Sequence, residues 1–187
     1  MAFGLDLLVS LVGVLILAQH TWALRGHFVS DRTTGGANLI LIAAGVSCLL
    51  MLGLTWLLEQ PIVPPLAGLA CMGLSLAVFW SAVKASRQAR LRYAFDNALP
   101  SSVVTAGPYK YIRHPFYTAY MAFWFAWAIA VWSIWALVPA ATMAALYLIA
   151  ARFEEKLLSS SGLSSAYVQY KSQTGMFWPA FRTGKRG

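Results

Sequence analysis

Acidic residues are scarce in this chain. Asp and Glu total 6 of 187 residues, against 14 Lys and Arg, and charged residues of both signs make up only 11%. A soluble domain carries about 25% charged residues, so the deficit excludes an ordinary water-soluble fold. Cysteine is nearly absent as well. Cys48 and Cys71 both fall inside apolar runs, at a spacing that matches no metal motif and offers no disulfide framework, and they read as small packing residues. The three histidines, His20, His27 and His114, lie far apart, with no Cys or carboxylate at ligand spacing, so no metal site is expected. No Gly-rich loop opens a helix after a strand, which excludes a dinucleotide-binding α/β fold. There is no internal repeat and no low-complexity tract.

Apolar residues fill the space that charge leaves, at 59% of the chain. A helix needs about 20 apolar residues to cross a bilayer. Residues 3–24 qualify, with Asp6 the only carboxylate, and residues 37–58 and 62–83 carry no charge at all. The first run lacks a basic leader segment and is long enough to span, so it reads as a span and not a cleaved signal. Residues 116–151 are uncharged and too long for one crossing. Ser133 and Pro139 stand where a turn fits, because Pro is tolerated in a helix's first turn and not in its interior. The expectation is an all-α integral membrane protein of five spans, the last two a short hairpin. It is one membrane domain: three spans in 1–83, a loop in 84–115, the hairpin in 116–151 and a tail in 152–187. Spans two and three, joined by Glu59-Gln60-Pro61, are expected to pair, with Gly45, Gly53, Gly68, Gly73 and Ala77 allowing close approach. In the tail, five serines and Gly162 within 159–165 interrupt a helix that resumes over 166–171.

The net charge of +8 follows the same map. Five spans put segments 25–36, 84–115 and 152–187 on one side, and these hold all 14 Lys and Arg. Basic loops stay cytoplasmic. The chain therefore reads as a multi-pass protein of a prokaryotic plasma membrane, with its N-terminus outside and its C-terminus in the cytoplasm. The basic excess is a topology signal with affinity for anionic headgroups, not a nucleic-acid footprint.

Two stretches do not fit plain spans. One is GPYKYIRHPFY at 107–117, and the other is Arg152-Phe153-Glu154-Glu155 just after the long uncharged run. Pro115 moves His114 out of helical geometry and toward an extended one, presenting its imidazole at the entry of a span. Glu154 and Glu155 sit at the membrane edge, where ionisable groups are usually functional. Neighbouring helix residues point about 100° apart, so one of the two is expected to face a ligand; the plainer alternative for these glutamates is an interfacial salt bridge with Arg152 or Lys156 at helical spacing. Tyr109, Tyr111, Tyr117, Tyr167 and Tyr170 read either as an interfacial belt or as the wall of an aromatic pocket. Trp124, Trp127, Trp132 and Trp135 read as packing or anchoring residues of the hairpin.

The ordered set is GPY, then RHP with Phe116 and Tyr117, an apolar hairpin, Glu154-Glu155, the pair Tyr167 and Tyr170, and Trp178-Pro179. Over 103–179 it resembles the isoprenylcysteine carboxyl methyltransferase family and its prokaryotic relatives. The resemblance implies transfer of a methyl group from S-adenosylmethionine to a lipophilic acceptor, an isoprenylcysteine-like carboxylate or, alternatively, a phospholipid amine. It implies a cofactor pocket lined by Val103, Val104, Tyr109, His114, Pro115, Phe116, Tyr117, Glu154 and Glu155, with Arg152 and Glu155 as the catalytic candidates. Membrane lipids and the lipophilic acceptor are the expected partners. This sequence departs from the family at Ala119, where Gly is usual. Ala150 or Ala151 stands where animal relatives carry a substrate-binding Arg, and residues 162–166 lengthen the tail. A membrane reductase using a nicotinamide cofactor is an alternative. Such relatives tend to read His-Pro-Asn-Tyr followed shortly by Gly-Glu, where this chain has Phe116, Ala119 and Tyr120. A non-catalytic membrane scaffold is another.

Overall fold

The computed structural model describes residues 2–27, 35–87 and 103–180. Within these residues the chain is helical, without strands. Helix α1 covers Ala2–His27, α2 Gly35–Leu57, α3 Val63–Ser86, α4 Pro115–Val131, α5 Leu137–Ser159 and α6 Ser164–Gln173. Single 3₁₀ turns cover Gly107–Lys110 and Ile134–Ala136. Among the described residues, four segments are long and apolar enough to cross a membrane: Phe3–Ala23, Gly35–Leu57, Val63–Ser86 and Ile134–Ser159. α4, at 17 residues, is shorter, about 25 Å at the helical rise per residue. The two helices of the expected hairpin are thus unequal.

Local chemistry sets the helix ends. Pro64 and Pro65 lie in the first turn of α3 and Pro115 opens α4, positions where the missing N–H costs nothing. α4 stops at Trp132, which adopts the left-handed conformation at φ 53° and donates its N–H to the carbonyls of Ala128 and Ile129. Ser133 then accepts a hydrogen bond from the Trp135 N–H and starts the turn into α5. The serine-rich break falls between Ser159 and Ser164, and the helix after it runs from 164 to 173, longer than the expected single turn.

The core sits where α4 is held among α3, α5 and the α1–α2 pair. Trp124 and Trp127 are fully buried there with Phe79, Phe123, Met72 and Met143. Trp132 and Trp135 are exposed at the far turn, where they suit a headgroup layer. Close packing uses fewer glycines than expected, and partly different ones. A Cβ on Gly68 would lie 2.5 Å from the Ala130 Cβ, and one on Gly13 2.8 Å from the Trp127 ring. Gly45, Gly53 and Gly73 meet nothing within 4 Å. Accordingly, α3 packs chiefly on α4, while α2 packs on α5, α1 and α4. Spans two and three are neighbours in sequence but not the close-packed pair expected, because their small residues do not face each other. Leu39, Ile42, Leu49 and Leu57 on α2 remain exposed, as a lipid-facing surface requires.

Candidate functional site

The loop before α4 is fixed at both ends. Gly107 takes φ +56°, and an added Cβ would lie 2.9 Å from the Ala85 Cβ, so the turn presses directly on the end of α3. Only glycine tolerates both conditions there. Tyr109 is buried beneath the turn. Burial holds its phenol above the ordinary range, so it stays protonated. Residues 111–114 then run beside the tail. Gly175 N–H donates to Tyr111 O (3.1 Å), Arg113 N–H to Gly175 O (2.8 Å) and His114 N–H to Met176 O (3.2 Å). Thr118 Oγ1 donates to Phe177 O (3.1 Å) and Tyr170 OH to Tyr109 O (2.7 Å). Burial raises the Tyr170 phenol to about 12, which keeps it a donor at neutral pH. The tail is therefore laced to the loop by backbone groups, which composition alone does not reveal.

Side chains join this two-stranded strap to the end of α5. Arg113 Nε lies 2.7 Å from Glu155 Oε1, and Lys171 Nζ lies 2.7 Å from Glu155 Oε2. Arg113 also donates through Nη1 to the carbonyl of Thr174. Glu154 accepts a hydrogen bond from the Tyr117 hydroxyl. The His114 ring lies between the two carboxylates, with Nδ1 3.6 Å from Glu154 Oε2 and Nε2 3.4 Å from Glu155 Oε1. That second approach lacks hydrogen-bond geometry, and Nε2 is left unsatisfied although buried. Tyr117 stacks on His114 at 5.7 Å, and Phe177 of the tail approaches the same ring at 6.0 Å.

The two glutamates thus differ in kind. The Glu155 side chain is 10% exposed and both its oxygens are held by cations. The Glu154 side chain is 30% exposed, and its partners are a phenol and an imidazole. Both carboxylates face the loop, contrary to the expectation that one would point elsewhere, because the imidazole inserts between them. The cations on Glu155 come from the loop and the tail, not from its own helix. Arg152 and Lys156 are exposed.

Of the other expected residues, Pro115 and Phe116 are buried, and Phe116 packs against Phe79 in the core, 5.7 Å between ring centroids. Val103 and Val104 are half-buried ahead of the turn, with Val104 against the core. Ser101 and the Ser102 end of that segment lie outside the described residues. Arg113, Lys171 and Thr174 were not among the candidates. Arg113 stood inside the quoted RHP motif, which was the available signal. Lys171 and Thr174 carried none.

A family model described as phospholipid methyltransferase matches residues 64–161, more than half of the chain. The chain belongs to this family. It falls within the isoprenylcysteine carboxyl methyltransferase-like group, as the ordered motifs implied. The matched segment contains α3, the loop, α4 and nearly all of α5, so it includes Arg113, His114, Tyr117, Glu154 and Glu155. Among curated proteins there is no match. Membership makes the protein a multi-pass membrane methyltransferase. Among the described residues no group of His, Cys, Asp or Glu is placed to hold a metal.

Proposed function

We propose that this phospholipid methyltransferase family member transfers a methyl group from S-adenosylmethionine to a lipophilic acceptor at the cytoplasmic face. The observation that carries the reading is Glu154: a half-buried carboxylate aimed at the loop, oriented by Tyr117 and His114 and not consumed by Arg113 or Lys171. Such a group is complementary to an ammonium. The unsatisfied His114 Nε2 and the aromatic faces of Tyr117 and Phe177 suit a cofactor with hydroxyls and a flat base. The residues present therefore fit S-adenosylmethionine, which supplies an activated methyl on a sulfonium. Glu154 holds its ammonium in this reading, and Glu155 keeps the loop, α5 and the tail assembled around it. Methyl transfer is a displacement governed by alignment and exclusion of water, and the strap of 111–114 on 175–176 supplies both.

The same reading takes α4 as a fifth crossing. α4 begins, and α5 ends, at the Arg113–Glu155 ion pair, so both ends lie at one membrane face. The segment Ile134–Ser159 is long enough to start at the other face. The chain must reach that start through α4, which is mostly enclosed by protein and so tolerates its short length.

The test is thermal stabilisation of detergent-purified protein by S-adenosylhomocysteine, since a ligand that binds only the folded state stabilises it by mass action. A clear rise in melting temperature is expected, and none with nicotinamide dinucleotides. The reverse pattern transfers the chain to reductase chemistry.

A further inference from the structure

α4 is enclosed on every side but one. Its exposed residues, Ala122, Phe125 and Ile129, follow the half-buried Thr118 at spacings of four, three and four, which keeps them on one stripe of the helix. Tyr117, Met121, Phe125 and Ala128 run along one edge of that stripe at the same kind of spacing. This edge faces α5: Tyr117 stacks on Tyr147 at 5.7 Å, and Phe125 and Ala128 share a recess with Leu137. On α5, Leu137, Ala141, Ala144, Leu148 and Glu155 recur at spacings of four, three, four and seven, again one line. The small Ala141 and Ala144 leave a furrow between the two helices. At the far turn the furrow opens into a recess of about 360 Å³, lined by Phe125, Ala128 and Ile129 of α4 and by Ile134 and Leu137 where α5 begins. Ser133 is its one polar lining residue among the described ones.

The two ends of the furrow differ in chemistry. Its α4 line starts at Tyr117, which donates to Glu154, and its α5 line finishes at Glu155. A chain lying in it therefore has its head at the candidate site and its tail in the recess. The recess is uncharged and nearly all apolar, so it accepts hydrocarbon and rejects a headgroup. Length agrees. Tyr117 to Ala128 is eleven residues, about 16 Å along the axis, close to half of a bilayer's hydrocarbon core of about 30 Å. That is the reach of one lipid chain whose head lies at the face where α5 ends.

We propose that the furrow between α4 and α5 seats the hydrocarbon chain of the methyl acceptor, and that the recess at Ala128 and Leu137 measures that chain, selecting one that spans a single leaflet. The inference rests on the methyltransferase reading above. The furrow opens sideways to the membrane, so the acceptor slides in without leaving the bilayer. Burying its chain brings no hydrophobic gain, because lipid tails are as apolar as the furrow. Selection comes instead from register: a chain whose end fills the recess holds its head at Glu154, and a shorter one leaves the head free to slide. Ala128 and Leu137 are thus specificity-determining residues far from the reacting atoms.

The experiment uses full-length protein in phosphatidylcholine vesicles and single-chain probes of 8 and 16 carbons, each made with a phosphoethanolamine head and with an N-acetylcysteine head. In the first arm the chains end in a photoreactive diazirine, and adducts are mapped by mass spectrometry. With at least one head, the 16-carbon probe labels residues 125–137 about tenfold more than the lipid-facing Leu39, Ile42 and Leu49 of α2, and the 8-carbon probe does not reach them. In the second arm, methyl-labelled S-adenosylmethionine is supplied. The parent favours the 16-carbon acceptor about tenfold, the low end for a hydrophobic pocket. Ala128→Leu fills the recess, and Leu137→Trp, at an exposed position that threatens folding less, narrows it. Each brings the ratio of the two chains near one while the 8-carbon rate stays parental. Ile149→Trp, exposed on another face of α5, keeps the parental ratio. Partitioning of the probes is the same for every variant, so a changed ratio reads the recess. Equal labelling of α2 and the furrow, which is bulk-lipid contact only, overturns the proposal, as does a parental ratio in both recess variants or an equal shift in Ile149→Trp. No label transfer by the parent to either head removes the methyltransferase reading alone, because the photolabelling still decides whether the furrow seats a chain.

Discussion

Arg113 and Glu155 are 42 positions apart in sequence and 2.7 Å apart in space, and their ion pair is nearly enclosed, with side chains 9% and 10% exposed. It is where the loop before α4, the end of α5 and the tail meet, because Arg113 also holds Thr174 and Lys171 shares Glu155. Glu155→Gln leaves Arg113 buried without its countercharge. Breaking a buried pair on one side costs about 3–5 kcal/mol, so a marked fall in melting temperature is expected, with faster proteolysis of the tail. A Glu155→Gln protein as stable as the parent removes the clamp.

Glu154→Gln separates binding from assembly. The change retains size and the contact with Tyr117 but removes the charge that the cofactor ammonium is proposed to meet. Loss of about 1.5–3 kcal/mol of S-adenosylhomocysteine affinity is expected, the worth of a hydrogen bond to a charged group, with little change in unliganded stability. Calorimetric titration of the two Gln variants reads the contrast directly. Equal losses in both deny the division of labour between the carboxylates.

Gly175 tests the strap. A Cβ there would lie 1.7 Å from the Trp178 carbonyl oxygen, a backbone atom that cannot give way cheaply. Gly175→Ala therefore has to unseat the tail from residues 111–114. Amide exchange is expected to quicken at Arg113 and His114, whose N–H groups lose their tail acceptors, while α1–α3 keep parental protection. Parental exchange at both amides shows that the turn relaxes without releasing the loop.

The architecture was legible where chemistry is local. Uncharged runs marked the spans, Pro64, Pro65 and Pro115 marked helix starts, and the serine cluster marked the break after α5. The ordered motifs named Tyr117, His114 and the two glutamates, which the fold sets side by side. What escaped was tertiary. Nothing near Lys171 in sequence says that it reaches Glu155, and no local pattern says that Gly175 pairs with Tyr111 and Arg113. The glycines failed for the same reason. A sequence shows that a residue is small but not which helix it faces, so Gly45 and Gly53 looked equivalent to Gly68 although only Gly68 lies against α4.

That distinction predicts opposite outcomes for one substitution at two sites on α3. Gly68→Ala drives a methyl into the Ala130 Cβ at 2.5 Å and the Ala126 carbonyl oxygen at 2.7 Å. Overpacking of this kind costs about 1–3 kcal/mol. Gly73→Ala meets open space and gains the helix-propensity difference of about 1 kcal/mol at most. Melting temperatures in one detergent are expected to fall for the first and to hold or rise for the second. A fall for both means that the close face of α3 is not the one set against α4.

Topology provides the last test. In the proposed five-crossing arrangement, Gln60, in the short link between α2 and α3, lies on the outer face, and Tyr111, 62% exposed in the loop before α4, lies on the cytoplasmic face. Cys48 and Cys71 are half-buried within spans, so they contribute a low background to labelling. In intact cells an impermeant thiol reagent is expected to modify Gln60→Cys and to spare Tyr111→Cys until the membrane is permeabilised. Ser133→Cys, in the turn between α4 and α5, carries the decisive reading. Reaction from outside, like Gln60→Cys, makes α4 a crossing and puts Glu154 at the cytoplasmic face. Protection together with Tyr111→Cys makes α4 re-entrant and leaves α5 without a return path, which conflicts with its length and with the contact between Glu155 and Arg113.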